Sequence, residues 1–172
     1  MISAEKNNTF KMLPMRSNHR CFGCSPVNPA GLHMTFFTDE HSLCSFVNVP
    51  EHLSGWDRLV HGGVISTILD EIMGWSAIYL LKTLVLTKSI KVDFLKPVHI
   101  QTDLKAEGRV FEVKSEREAV MQGSLTNSAG ELCARATGTF ALFTPKAALK
   151  LGVVDEEALK DFKVFLDSAC PT

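Results

Sequence analysis

The residues best placed to do chemistry are His61-Gly62-Gly63, at the head of a helical stretch, and Asp70 on the polar side of that stretch. Glycines at a helix start let another molecule approach the backbone. The first-turn N–H groups have no intrahelical partners and lie at the positive end of the helix dipole. A donor of this kind stabilises the oxyanion that forms when a carbonyl is attacked, typically by about 10²–10³ in rate. Asp70, two turns along, can act as general base or nucleophile, so the pair reads as machinery for cleaving an acyl compound. Glu71 is turned by about 100° around the helix and is the less favoured carboxylate; Gly74, one turn beyond Asp70, removes bulk from the same face. A glycine pair is also an ordinary turn, and an Asp on a polar helix face an ordinary solvated charge. The surroundings must decide.

The element that positions these residues is a helix predicted from about Gly63 to Leu81. Val64, Ile65, Ile68, Leu69, Ile72 and Met73 fall on one half of the cylinder; Ser66, Thr67, Asp70, Glu71 and Gly74 fall on the other. Its length of about 27 Å and broad apolar half suit a central helix covered by a sheet. Before it, His33–Phe37 and Leu43–Val49 read as short strands around a turn at Asp39-Glu40, followed by a loop from Pro50 to Val60. After it come four strand-like stretches. Ile90–Phe94 and Ile100–Ala106 alternate in polarity, and Glu118–Leu125 and Leu132–Leu142 flank a turn at Asn127-Ser128-Ala129-Gly130. Short connections favour antiparallel pairing. A tail from Pro145 to Leu166 carries a second helical pattern that starts near Asp155.

With 45% hydrophobic and 22% charged residues in 172, the chain reads as one globular domain, its core spanning about 18–143 and its helical tail about 145–167. A net charge of -1 supplies no global field for nucleic acid or anionic lipid. The opening residues lack the apolar run of a secretory signal, and the greasiest stretch, Ile72–Leu86, is interrupted by Gly74, Ser76, Lys82 and Thr83. An odd set of cysteines (Cys21, Cys24, Cys44, Cys133, Cys170) points to reduced thiols rather than a disulfide framework. The expectation is a soluble, cytoplasmic protein with no nucleic-acid or membrane partner.

Four motifs in order resemble the hotdog-fold acyl-CoA thioesterases of the phenylacetate-degradation (PaaI-like) and human thioesterase-superfamily type. They are the entry Cys21-Phe22-Gly23-Cys24-Ser25-Pro26-Val27-Asn28-Pro29-Ala30-Gly31-Leu32, the His61-Gly62-Gly63-x6-Asp70 run, the strand Ile90-Lys91-Val92-Asp93-Phe94-Leu95-Lys96-Pro97, and the segment Ala134-Arg135-Ala136-Thr137-Gly138-Thr139-Phe140. The resemblance spans about Asn18 to Phe143. It implies an α+β hotdog fold, a long central helix wrapped by a curved antiparallel sheet, and hydrolysis of acyl-CoA to free acid and CoA. No cofactor is implied, because CoA is part of the substrate. By position, Asp70 matches the family's base or nucleophile, Gly62 the residue whose N–H polarises the carbonyl, and Thr87 a Ser/Thr that helps hold the attacking water. His61 and Gly63 line the substrate-binding loop, with His61 positioning it. The resemblance also implies a homodimer or homotetramer with active sites across the interface, where Thr87 would meet Asp70 of the other subunit. Some relatives carry Asn or Gln ahead of the glycine pair; here Gly55-Trp56-Asp57-Arg58 stands in that region, with His52 or Asp57 as substitutes. Two further readings share the fold: a non-catalytic acyl-CoA-binding or regulatory domain, and an acyl-thioester dehydratase.

Other chemistry-bearing residues take plainer readings. His19, Cys21, Cys24 and His33 could be assembled into a zinc site, but a second clean ligand pair is missing and Gly23 with two prolines explains a turn, so no metal is expected. Lys88, Lys91, Arg109 and Arg135 could meet CoA phosphates and read more simply as outward-facing strand residues. Trp56 and Trp75 read as core rather than acyl pocket.

Overall fold

The computed structural model describes residues 10–168. The first nine residues and Cys170 lie outside the described part. Helix α1 runs from Gly62 to Leu81, one residue earlier than the spacing predicts, because His61 caps it: its Nδ1 accepts the Gly63 N–H at 2.9 Å. The helix stops at Lys82, which takes a left-handed conformation (φ 53°) and lays its ammonium over the Tyr79 ring at 3.9 Å. Every residue assigned to the apolar half is buried. By length and composition α1 could cross a membrane, but here it is the core helix.

The strands are β1 (Lys11–Met12), β2 (Phe37–Thr38), β3 (Leu43–Asn48), β4 (Ser54–Trp56), β5 (Leu59–Val60), β6 (Leu84–Phe94), β7 (Asp103–Ser115), β8 (Glu118–Asn127) and β9 (Leu132–Phe143). Seven form one antiparallel sheet in the order β1-β2-β3-β7-β8-β9-β6, while β4 and β5 pair separately. A short α2 (Pro145–Lys150), capped by Thr144, and α3 (Glu156–Ser168) follow. Leu84, Ala148, Leu159 and Phe162 make a small second apolar cluster there.

The helix lies close to the sheet because glycines floor its seat. A Cβ at Gly108 on β7 would fall 2.4 Å from Ser76 Oγ and 2.7 Å from the Ile72 carbonyl oxygen. One at Gly123 on β8, which pairs with Gly108, would sit 3.1 Å from Met73 Cγ. These glycines bring α1 down onto the middle of the sheet, which sets the height of its polar face above the flanking strands.

Several expectations change. Of the strand placed at His33–Phe37 only Phe37 pairs into the sheet; His33 has a positive φ of 51°, and Leu32 and Met34 donate to the carbonyls of Phe22 and Gly23 instead. The Pro50–Val60 loop contains the small β4–β5 ribbon. β6 starts at Leu84 rather than Ile90, and β7 begins at Asp103 and continues past Ala106 to Ser115, its far end exposed. Trp56 is 79% exposed rather than core, since the ribbon lifts it away from α1. Trp75 is partly buried and stacks on Phe36 at 5.2 Å. Cys21, Cys24, Cys44 and Cys133 are all unbridged.

Candidate active site

Asp70 and Thr87 meet within one chain: the Thr87 hydroxyl donates to Asp70 Oδ1 at 2.8 Å. This corrects the expectation that Thr87 meets the carboxylate of another subunit. The local cause is a β-bulge. Thr87 pairs with Phe140 and Ser89 with Thr139, so Lys88 is an extra residue in β6. Partners across an antiparallel pair share a face, and Phe140 is fully buried beneath the helix. Ile90 and Val92 point inward beyond the bulge, and Val85 and Thr87 point inward before it. Lys88 turns outward and pairs with Glu118.

Burial pushes the Asp70 carboxyl above its ordinary range, the Thr87 hydrogen bond pulls it down, and the nearby Cys21 charge raises it further. A raised carboxyl has a stronger driving force for taking a proton, which suits a general base. Among the described residues β6 is the edge strand of the sheet, so the pair lies beside an edge that no other described strand covers.

At the helix start, His61 Nδ1 takes the Gly63 N–H, and the His61 carbonyl takes those of Val64 and Ile65. Gly62 N–H is the first-turn amide left without a partner among the described residues, and Gly62 itself is exposed. The ring of Phe94, 54% exposed, stands beside it: a Cβ on Gly62 would lie 3.6 Å from Phe94 Cζ. Phe94 was not singled out from the sequence, where it reads only as an apolar strand position.

Gly62 and Asp70 do not face one carbonyl within a chain, contrary to the reading from spacing. Eight helical steps separate them, roughly 12 Å at about 1.5 Å per residue, whereas a donor and a base acting on one carbonyl sit within about 3 Å of the reacting atoms.

Glu71 points away from this edge, toward the entry loop. Cys21 Sγ donates to its Oε1 at 3.0 Å, and its Oε2 is buried without a hydrogen-bond partner. Burial first, then the Cys21 charge, pushes the Glu71 carboxyl up to about 8. Hydrogen bonding from Cys24 lowers the Cys21 thiol, and the same contact together with burial raises that of Cys24. His19 and His33 do not join them: His19 Nδ1 accepts the Cys21 N–H at 3.4 Å, and His33 Nδ1 lies 2.8 Å from the Ser25 carbonyl.

Lys91, Arg109 and Arg135 line a polar cleft with Asp93, Glu107 and Gln122. Because Gly108 and Gly123 face α1, their neighbours Arg109 and Gln122 project from the opposite face of the sheet. Arg135 pairs with Asp93 at 3.0 Å and Arg109 with Gln122 at 2.9 Å, as outward strand residues do. His52 and Asp57 belong to the segment around the β4–β5 ribbon, just ahead of the helix.

Residues 58–134 match the model of the thioesterase superfamily. No curated protein matches the chain. Among solved structures, a thioesterase-superfamily protein is 21% identical with a TM-score of 0.62, over 67% of this chain and 57% of that one, so the match spans little more than half of its length. The PaaI protein of the phenylacetic acid degradation operon of E. coli is 18% identical with a TM-score of 0.59, over 66% of this chain and 81% of that one. A hypothetical thioesterase from Streptococcus pneumoniae, crystallised with coenzyme A, is 18% identical with a TM-score of 0.57, over 78% and 85%. The fold is the hotdog fold: a long central helix on a curved antiparallel sheet. The resemblance read from the four motifs is borne out at the level of the superfamily.

Proposed function

We propose that the protein is an acyl-CoA thioesterase that works as a homodimer or a larger homo-oligomer in the cytoplasm. Asp70 and Thr87 of one chain act together with Gly62 of the partner subunit. The observation that carries this reading is the Thr87–Asp70 hydrogen bond at 2.8 Å on a half-buried carboxylate beside an open sheet edge. The superfamily match and the coenzyme A held by the Streptococcus relative support an acyl-CoA substrate.

The partner subunit enters for a geometric reason. Gly62 and Asp70 lie too far apart along one helix, and β6 leaves an unpaired edge that displays Leu86 and Phe94. A second copy related by a two-fold axis perpendicular to that edge, with the two β6 strands antiparallel, brings the start of its helix toward the first copy's Asp70. The thioester carbonyl is then polarised by the Gly62 N–H while Asp70 removes a proton from the attacking water, with Thr87 orienting the carboxylate. The new C–O bond leaves an oxyanion on that N–H. Its collapse breaks the C–S bond, and the thiolate of CoA recovers the proton from Asp70. Direct attack by Asp70 to give an anhydride, then hydrolysed, uses the same groups. His61 holds the glycine turn through Gly63, and no cofactor enters these steps.

The test is thiol release across a panel of acyl-CoAs by the parent protein and Asp70→Asn. Turnover by the parent and nearly none in the variant, with an unchanged circular dichroism spectrum and melt, is expected. Full activity of the variant overturns the role of Asp70. Absence of turnover on every substrate, despite binding, turns the reading to the non-catalytic domain.

A further inference from the structure

We infer that Cys21, Cys24 and Glu71 form a site for one divalent metal ion of the zinc class, joining the entry loop to α1 next to the catalytic carboxylate. The two sulfurs and a carboxylate oxygen all lie within 4.8 Å of one another. Tetrahedral zinc, with bonds of ~2.3 Å to sulfur and ~2.0–2.2 Å to oxygen, spaces its ligand atoms ~3.5–3.8 Å apart. The cluster therefore reaches that geometry by side-chain adjustments of about an ångström.

Three features of the cluster suit a cation. Glu71 Oε2 is buried with no hydrogen-bond partner, and no Lys or Arg forms an ion pair with Glu71 among the described residues. A buried carboxyl oxygen in that state is costly unless a proton or a metal ion completes it. Gly23, between the two cysteines, lies so close to Glu71 that a Cβ would be 2.1 Å from its Cγ, so the loop is laid directly on the carboxylate. The Trp75 indole N–H donates to Cys24 Sγ at 3.4 Å, the kind of contact that orients a ligand sulfur.

Two sulfurs select a soft or borderline ion over magnesium or calcium. Water completes the fourth position, and binding releases the protons of the ligands to solvent. Asp70 is not a ligand. The ion acts on the chemistry only by fixing the helix turn that carries it.

The experiment uses the full chain, reduced until a thiol assay reads all five cysteines, with Co²⁺ alone as the probe. One equivalent is expected to give thiolate-to-cobalt charge transfer and the intense visible bands of a tetrahedral ion, and one equivalent of Zn²⁺ to abolish both. Cys21→Ser and Cys24→Ser should each weaken the charge-transfer band, and Glu71→Gln should reduce affinity at least about tenfold, while Cys44→Ser leaves binding intact. Native mass spectrometry of the parent protein gives a second measure that does not depend on the variants folding. Any of three results overturns the site: no stoichiometric uptake by the reduced parent protein, equal uptake by folded Glu71→Gln, or a Cys21–Cys24 disulfide that reductant does not open. None of these bears on the Asp70→Asn result.

Discussion

Replacing Gly62 by proline would delete the proposed oxyanion donor without disturbing the fold. Gly62 is the first residue of α1, where proline is well tolerated because its missing N–H has no intrahelical partner. The preceding His61 sits at φ -60°, ψ 136°, in the extended region that a following proline requires. A Cβ at the position meets only Phe94, at 3.6 and 3.7 Å, which is ordinary contact, and the amide makes no bond that the fold would lose. The stability change should therefore be within about 0.5 kcal/mol, as for a surface substitution. The rate is a different matter. Loss of one oxyanion donor lowers kcat by about 10²–10³, or about 2.7–4 kcal/mol of transition-state stabilisation. The assay is thiol release on the best acyl-CoA of the panel, paired with a thermal melt. A variant that melts like its parent and retains parental kcat refutes the donor role of Gly62.

Thr87→Val removes a hydrogen bond to a charged group, of about 1.5–3 kcal/mol, so kcat/KM should fall about 10–150-fold and Thr87→Ser should restore most of it. Because that bond lowers the Asp70 carboxyl, the acid limb of the pH–rate profile should move to higher pH in Thr87→Val; an unmoved limb would detach Thr87 from Asp70. Mixing inactive Asp70→Asn with inactive Gly62→Pro, after subunit exchange, should recover roughly a quarter of the parental rate, since half of the randomly assorted dimers carry one intact site. No recovery, with exchange verified, would count against a site shared between subunits. Gly108→Ala pushes a methyl into the Ile72 carbonyl, which cannot rotate away, and should destabilise by about 1–3 kcal/mol in a denaturant melt; an unchanged midpoint would show that the helix seat has slack.

What could be read from the sequence was whatever depends on local periodicity. The buried stripe of α1, its glycine start and the four strands after it follow from residue spacing, and the structure keeps their order. Thr87 came only through the family resemblance, because Leu84–Lys88 does not alternate in polarity, and a bulge is a property of two paired strands rather than of one. The β4–β5 ribbon and β1 are held by two- and three-residue pairings too short to leave a pattern. The Glu71 cluster was missed for a similar reason: its thiols lie about fifty residues away in sequence, and the histidines nearest to them in the chain hydrogen-bond to backbone instead. The distance between Gly62 and Asp70, by contrast, was available from helix rise alone and needed only to be multiplied out.

The extra residue at Lys88 splits β6 into two segments of opposite phase. Counting by twos from Ile90 would bring Lys88, not Thr87, onto the helix side; the added residue exchanges an ammonium for a hydroxyl beside Asp70. The strand therefore has a reading frame. Deleting Lys88 puts Thr87 directly before Ser89, so Thr87 and Ile90 stay on the helix side in one regular alternation and the strand loses only its bulge. Substituting Lys88 could not reproduce that change, because it would alter a side chain without altering the count.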